Sequence, residues 1–160
     1  MSYTIRPHRP GDMGMVIHRH GVLYWEEYGW DERFEALVAE ICAHFIQNFD
    51  AARERCWIAE VGGAFAGCIF LVKQSDDVAK LRLFLVEPSA RGLGLGKELV
   101  RQCLDFARAS GYKKIVLWTQ ANLDAARHIY RTSGFVCTAE EPHHSFGFDL
   151  VSETWELNLT

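Results

Sequence analysis

The run Val86-Glu87-Pro88-Ser89-Ala90-Arg91-Gly92-Leu93-Gly94-Leu95-Gly96-Lys97 decides the reading of this chain, because a buried strand hands over to a helix there. Glycines at alternate positions let the backbone turn tightly and bring bare N–H groups close to a bound anion. The helix that follows adds the positive end of its dipole, and Arg91 and Lys97 add charge. A pyrophosphate is the natural occupant. Two other phosphate-binding patterns fail here. A P-loop needs glycine where Arg91 stands and Ser or Thr where Glu98 stands. The dinucleotide fingerprint G-x-G-x-x-G, started at Gly92, needs glycine at Lys97, and no second βαβ half follows. What the residues do fit is R-x-x-G-x-G, Arg91 to Gly96, after a strand ending in V-x-P.

Working outward, Val78 to Val86 reads as the central strand, with Pro88 ending its pairing. Leu95, Leu99, Val100, Cys103, Leu104 and Ala107 form one face of the following helix, which Ser110-Gly111 caps. Lys114 to Thr119 is the next strand, so this strand, helix, strand unit predicts a parallel crossover. A helix over Asp124 to Ser133 stops at Gly134, and strands Phe135 to Ala139 and Thr154 to Leu159 finish the chain. On the other side, Cys56 to Val61 and Ala64 to Lys73 flank Gly62-Gly63, a hairpin signal because both turn positions need positive φ. Before them come a strand at Tyr3 to Arg6, a helix opened by Asp12 and broken at Gly29, and an amphipathic helix capped by Asp31. The order β, two helices, three strands, helix, strand, helix, two strands implies an α+β fold, a mixed α/β layer.

The chain has 160 residues, 49% apolar and 24% charged, which suits one globular domain over 1–160 and excludes a disordered or fibrous protein. Its 17 basic against 21 acidic residues give a net charge of −4 and none of the basic excess that drives nucleic-acid binding. The five cysteines, Cys42, Cys56, Cys68, Cys103 and Cys137, show no ligand spacing and read as buried thiols of a reducing compartment. The longest apolar run, Cys68 to Val72, is far short of the ~20 residues of a membrane helix. No nucleic acid or membrane partner is expected, and a cytoplasmic location is.

At the glycine turn the sequence resembles the GNAT superfamily of N-acetyltransferases. The resemblance rests on L-F-L-V-E-P ending at Pro88, on R-G-L-G-L-G from Arg91, and on A-x-x-x-Y-x-x-x-G-F at Ala126, Tyr130, Gly134 and Phe135. The flanking motifs H-R-H-G-x-x-Y (His18 to Tyr24), E-Y-G-W-D (Glu27 to Asp31) and E-P-H-H-S-F-G (Glu141 to Gly147) resemble the acetyltransferase half of MarR–GNAT fusion regulators. The resemblance implies the GNAT fold, a central mixed twisted sheet with helices on both faces. It also implies acetyl-CoA as cofactor and direct transfer of its acetyl group to a primary amine of a small molecule in a ternary complex.

Carried over by matching positions, Phe84, Leu85 and Val86 would offer backbone groups to the acetyl and pantetheine portion. Arg91, Gly92, Leu93, Gly94, Leu95, Gly96 and Lys97 would hold the pyrophosphate. Ala126, in the second motif, would join the cofactor contacts, and Tyr130 sits where the family commonly places the general acid for the departing thiolate. Two positions depart from the pattern. Leu123 stands where relatives often carry an asparagine that contacts pantetheine, so Asn122, displaced by one, is the candidate for that cofactor contact, and Lys80 stands where many carry a glutamate base on the central strand.

The proton from the amine therefore needs another acceptor, with His18, His20, Glu26, Glu27, His143, His144 or water as candidates. No metal is expected, since His143-His144 lacks a third ligand at helix or strand spacing. Lys80 and Arg82 alternate onto one face of the central strand with Phe84 if no bulge intervenes, and such a pair favours a substrate with a carboxylate or phosphate. Tyr24, Trp25, Tyr28 and Trp30 are aromatic candidates for the acceptor pocket. The alternative readings are a non-catalytic acyl-CoA-binding regulatory module, favoured by the missing glutamate, and a protein or peptide N-acetyltransferase. A homodimer is admitted but not required.

Overall fold

The computed structural model describes residues 2–160. Its elements are β1 (Thr4–Pro7), α1 (Asp12–Tyr28), α2 (Glu32–Gln47), β2 (Arg55–Val61), β3 (Ala64–Lys73), β4 (Val78–Val86), α3 (Leu95–Ala109), β5 (Lys114–Gln120), α4 (Asp124–Thr132), β6 (Val136–Ser145) and β7 (Phe148–Asn158). A short 3-10 turn, Pro88–Ala90, lies between β4 and α3.

The strands form a mixed seven-stranded sheet in the order β1-β2-β3-β4-β5-β7-β6. All neighbours run antiparallel except β4 and β5, the expected parallel pair. One face packs on α3 and α4 through Leu99, Val100, Cys103, Tyr130 and Trp155. The other packs on α1 and α2 through Val16, Leu23, Val38 and Phe45. This sandwich explains the α3 pattern: Leu99 is fully buried, and such a side chain contributes roughly 1.5–3 kcal/mol by leaving water. Asp31 caps α2 as its chemistry predicts, its carboxylate accepting the Arg33 N–H at 3.0 Å. Gly62 and Gly63 make the β2–β3 turn at φ 59° and 81°.

Two sequence expectations change. The last two strands are longer than Phe135 to Ala139 and Thr154 to Leu159, pairing from Val136↔Glu156 out to Ser145↔Phe148. Pro142 within β6 argues against a strand in sequence, but β6 is the sheet edge, where a missing N–H costs no ladder bond. The hairpin turn is Phe146-Gly147, both at positive φ (56° and 91°). Phenylalanine is a poor choice for that conformation; packing against Trp30 and Phe34 holds it there, with ring centroids 5.2 and 5.1 Å away.

The second change lies in β4. Cys68 to Phe70 on β3 spans two steps while its partners Leu85 to Arg82 span three, so β4 carries a bulge. Leu83 sits in it at φ 51°, a strained value for a bulky residue. The extra residue breaks the alternation that would have put Phe84 on one face with Lys80 and Arg82. Leu83 packs toward α1 and α2, and Phe84 turns to the α3–α4 face.

Candidate active site

The parallel β4–β5 ladder runs only from Val78↔Lys114 to Leu81↔Leu117. Beyond it the strands part, so backbone groups of Phe84, Leu85 and Val86 on that side have no β5 partner and face a cleft. A cavity of about 260 Å³ passes through this gap. Tyr130 and Ala126 line it from α4, Leu123 from just before that helix, Phe84 from β4, and Thr119 and Gln120 from β5.

At the mouth of the gap lies the glycine turn. Gly92 and Gly94 adopt φ 86° and 76°, and a Cβ built on either meets nothing within 4 Å, so the turn is left-handed and open on its outer side. The first α3 amide with an intrahelical acceptor is that of Glu98, onto the Gly94 carbonyl at 3.1 Å. The N–H groups of Gly94, Leu95, Gly96 and Lys97 are therefore left for an external acceptor. Gly96 has a different role. A Cβ there would lie 2.8 Å from the Ile129 side chain and 3.3 Å from Phe84, so it lets α3 close onto β4 and α4. An anion of pyrophosphate size fits this turn on both charge and space.

Two ion pairs fix α1 to this turn. Arg19 grips the buried Glu87 in a two-pronged pair, its Nη2 donating at 3.0 Å. Glu27 meets Arg91 at 2.6 Å. The sequence identified Arg91 from the motif; the Glu27 partner, far away in the chain, was invisible to it.

Tyr130 is buried with its ring 6.0 Å from that of Phe84, and burial pushes its phenol well above the usual range. The hydroxyl thus keeps its proton at any physiological pH. His20, Tyr24, Trp30, Phe34 and Phe146 wall the cavity on the α1–α2 side, with Lys80 and Arg82 on β4. His20 is fully buried; its Nδ1–H donates to the Val16 carbonyl at 2.8 Å, and burial lowers its pKa to about 4, so it is neutral.

Other sequence candidates lie elsewhere. His18 is exposed, two residues from His20 and so on the opposite side of α1 from that buried ring. Trp25 is 64% exposed, and Tyr28 packs at a tilt against Tyr24 and Trp30 without lining the cavity itself. Asn122 is exposed, whereas Leu123 lines the cleft. His143 and His144 point opposite ways, as neighbours on a strand must. His143 donates from Nε2 to Gln120 Oε1 at 2.9 Å, so its Nδ1 accepts from the Ser145 hydroxyl, and exposed His144 pairs with Asp149. Phe34, Phe146 and Gln120 join the site without having been candidates: Phe146 lies inside E-P-H-H-S-F-G but reaches the wall only through the long β6–β7 hairpin, while Phe34 on α2 and Gln120 on β5 lie outside the motifs.

Cys42, Cys56, Cys68 and Cys103 are buried, and Cys137 is half-exposed rather than buried. Burial pushes the Cys42 thiol up to about 12 and raises the others as well, so none offers a thiolate near neutrality.

Residues 19–135 match the model of the acetyltransferase (GNAT) family. The chain belongs to the GNAT acetyltransferase family. Among curated relatives, N-acetylaspartate synthetase of Xenopus tropicalis is 35% identical over 89 residues, 55% of this chain and 33% of the relative. N-acetyltransferase 8F1 of Rattus norvegicus is 30% identical over 116 residues, 69% of this chain and 52% of the relative. The chain thus spans about half or less of the length of these GNAT relatives. A solved acetyltransferase from Salmonella typhimurium, with its cofactor acetyl-CoA, superposes with a TM-score of 0.78 at 22% identity, covering 100% of this chain and 95% of that one. The fold is the GNAT fold. No helix among the described residues is long and apolar enough to cross a membrane.

Proposed function

We propose that this GNAT chain, as one domain over residues 1–160, is an acetyl-CoA-dependent N-acetyltransferase acting on the primary amine of a small molecule. The observation that carries the reading is the parting of β4 from β5 directly beside a helix N-terminus with four unpaired amides. Arg91, the Gly92–Lys97 backbone and the α3 dipole hold the pyrophosphate, and the free edge of Phe84 to Val86 holds the pantetheine arm. Bound there, acetyl-CoA supplies an activated acetyl thioester.

The chain supplies orientation and proton control. Tyr130 retains a proton at Oη in a water-poor cleft and is the general acid. His20 is neutral but weakly basic, so it leaves the amine's proton to water. The protonated, buried cysteines suit direct transfer rather than an acyl-cysteine route. The cleft's enclosure by Trp30, Phe34 and Phe146 suits a small acceptor better than a folded protein. The resemblance to the acetyltransferase half of MarR–GNAT fusions rests on the flanking motifs alone.

One observation favours a second reading, a CoA-binding regulatory module: a cation, Lys80, stands where many relatives carry the carboxylate base. Thiol release from acetyl-CoA separates the two. The enzyme releases thiol faster when its amine is supplied; the module binds CoA and does not.

A further inference from the structure

Lys80 and Arg82 are half-buried cations on β4, on the face that looks toward α2. Most other part-buried cations here have a partner: Arg6 meets Asp12 and Glu60, Arg19 meets Glu87, and Arg127 meets Glu153. Lys80 and Arg82 meet no carboxylate among the described residues. Burial depresses both, and Arg82 depresses Lys80 further, with no acid acting in return. The one carboxylate that lines the adjoining 220 Å³ pocket with them, Glu54, is already bound by the backbone N–H groups of Asp50 and Lys73, at 3.1 and 2.9 Å. Two like charges set side by side, partly stripped of water and unpaired, cost the fold stability.

Their position gives that cost a use. Both side chains line the same 260 Å³ cavity as Phe84 and Tyr130. Along a strand, two residues span roughly 7 Å, and the bulge shortens the path from Arg82 to Phe84. A group held at Arg82 thus lies a few bonds from an atom held at the cleft. Much of the wall they share is apolar and aromatic, with Trp30, Phe34, Val38 and Phe146.

We infer that the acceptor is an amine carrying an oxyanion, a carboxylate or phosphate a few bonds from its nitrogen, clamped by Arg82 and Lys80 with an apolar body against Trp30, Phe34 and Phe146. The inference rests on the transferase reading and refines its substrate. The oxyanion supplies the counter-charge that the fold withholds, and Arg82 offers it a planar fork of donors.

The test measures binding and turnover separately. Calorimetry compares N-acetylphenylalanine with N-acetylphenylalaninamide, which differ only in the anion. The acid binds at least 10-fold more tightly to the native protein, and the difference shrinks to within 2-fold in Lys80→Met/Arg82→Gln. The same variant, freed of two unpaired cations, unfolds at a temperature no lower than the native protein. Phenylalanine, its amide and its aminophosphonate analogue are then compared as acceptors by thiol release. The acid and phosphonate surpass the amide in kcat/KM, and whichever leads identifies the natural anion. Equal binding of acid and amide, or a preference that survives the double substitution, overturns the inference. Turnover of neutral amines with no such preference overturns it while leaving the transferase standing. Selective binding of the acid with no thiol release from any amine instead overturns the transferase reading and retains the anion site.

Discussion

Glu27 and Arg91 are joined by an ion pair of 2.6 Å that links the last turn of α1 to the glycine turn before α3. Together with Arg19–Glu87 it ties one helix to the segment that leads from β4 into the glycine turn, so the phosphate-binding loop and one wall of the acceptor cavity are joined mechanically. Glu27 also competes for the arginine that a pyrophosphate would use. Exposed pairs of this kind contribute about 0–1 kcal/mol. Glu27→Gln should therefore raise CoA affinity by up to about 5-fold at low salt, with the gain fading as salt increases, while Arg91→Gln lowers it. Calorimetry at two ionic strengths checks this; a weaker CoA complex in Glu27→Gln would mean that Glu27 positions Arg91 rather than competing for it.

Gly94→Glu probes the turn itself. At φ 76° any side chain costs roughly 1–2 kcal/mol of backbone strain, but a Cβ there touches nothing within 4 Å. The variant should fold with a modestly reduced unfolding midpoint and lose CoA binding, because a carboxylate then occupies the anion's place. A folded variant that binds CoA as tightly as the native protein refutes the pyrophosphate assignment.

Tyr130→Phe removes one hydroxyl that no hydrogen bond perturbs among the described residues. Stability should change little. Loss of a general acid typically costs on the order of 10²-fold in rate, so kcat should fall by about that factor with KM for acetyl-CoA unchanged. A fall in affinity with kcat preserved would make Tyr130 a packing residue.

His20 predicts how stability responds to acid. Its pKa in the folded chain is about 4, against 6.5 for an exposed imidazole, so between those values the unfolded chain binds a proton that the folded chain refuses. Stability is complete above about pH 6.5 and falls as the pH drops toward 4, by about 3 kcal/mol from this group. His8, also lowered by burial, acts in the same direction, and the Arg6-paired Asp12, held below the ordinary carboxylate range, adds stability that is present above that range and is lost only at still lower pH. Denaturant melts at pH 7 and pH 4.5 should show the drop, and His20→Phe should reduce it. An identical pH dependence in that variant would place the titration elsewhere.

What the sequence disclosed follows from how local each signal is. The turn at Arg91–Gly96, the α3 stripe, the Gly62-Gly63 hairpin and the Asp31 cap are each set by a few neighbouring residues, and each appears where the pattern places it. The Leu83 bulge was not legible, since nothing in L-R-L-F-L shows which residue the β3 strand skips; yet it decides that Phe84 faces Tyr130 while Lys80 and Arg82 face the acceptor side. The Phe146-Gly147 turn was hidden for the same reason, as a phenylalanine at positive φ is held by Trp30 and Phe34 from another part of the chain. His20 and His18 differ only in which side of α1 meets the sheet. The cofactor half of the site is built from one contiguous motif and could be read; the acceptor half is assembled from α1, α2, β4, β5 and the β6–β7 turn, and could not.

The most direct test of the account is the mass and yield of the acceptor after incubation with acetyl-CoA and a panel of primary amines, measured alongside free thiol. The account predicts that thiol appears only as fast as an N-acetylated amine accumulates, in equal amounts, and that both slow together in Tyr130→Phe. Thiol release that is indifferent to added amine, or tight CoA binding with no acetylated product from any amine, would contradict it.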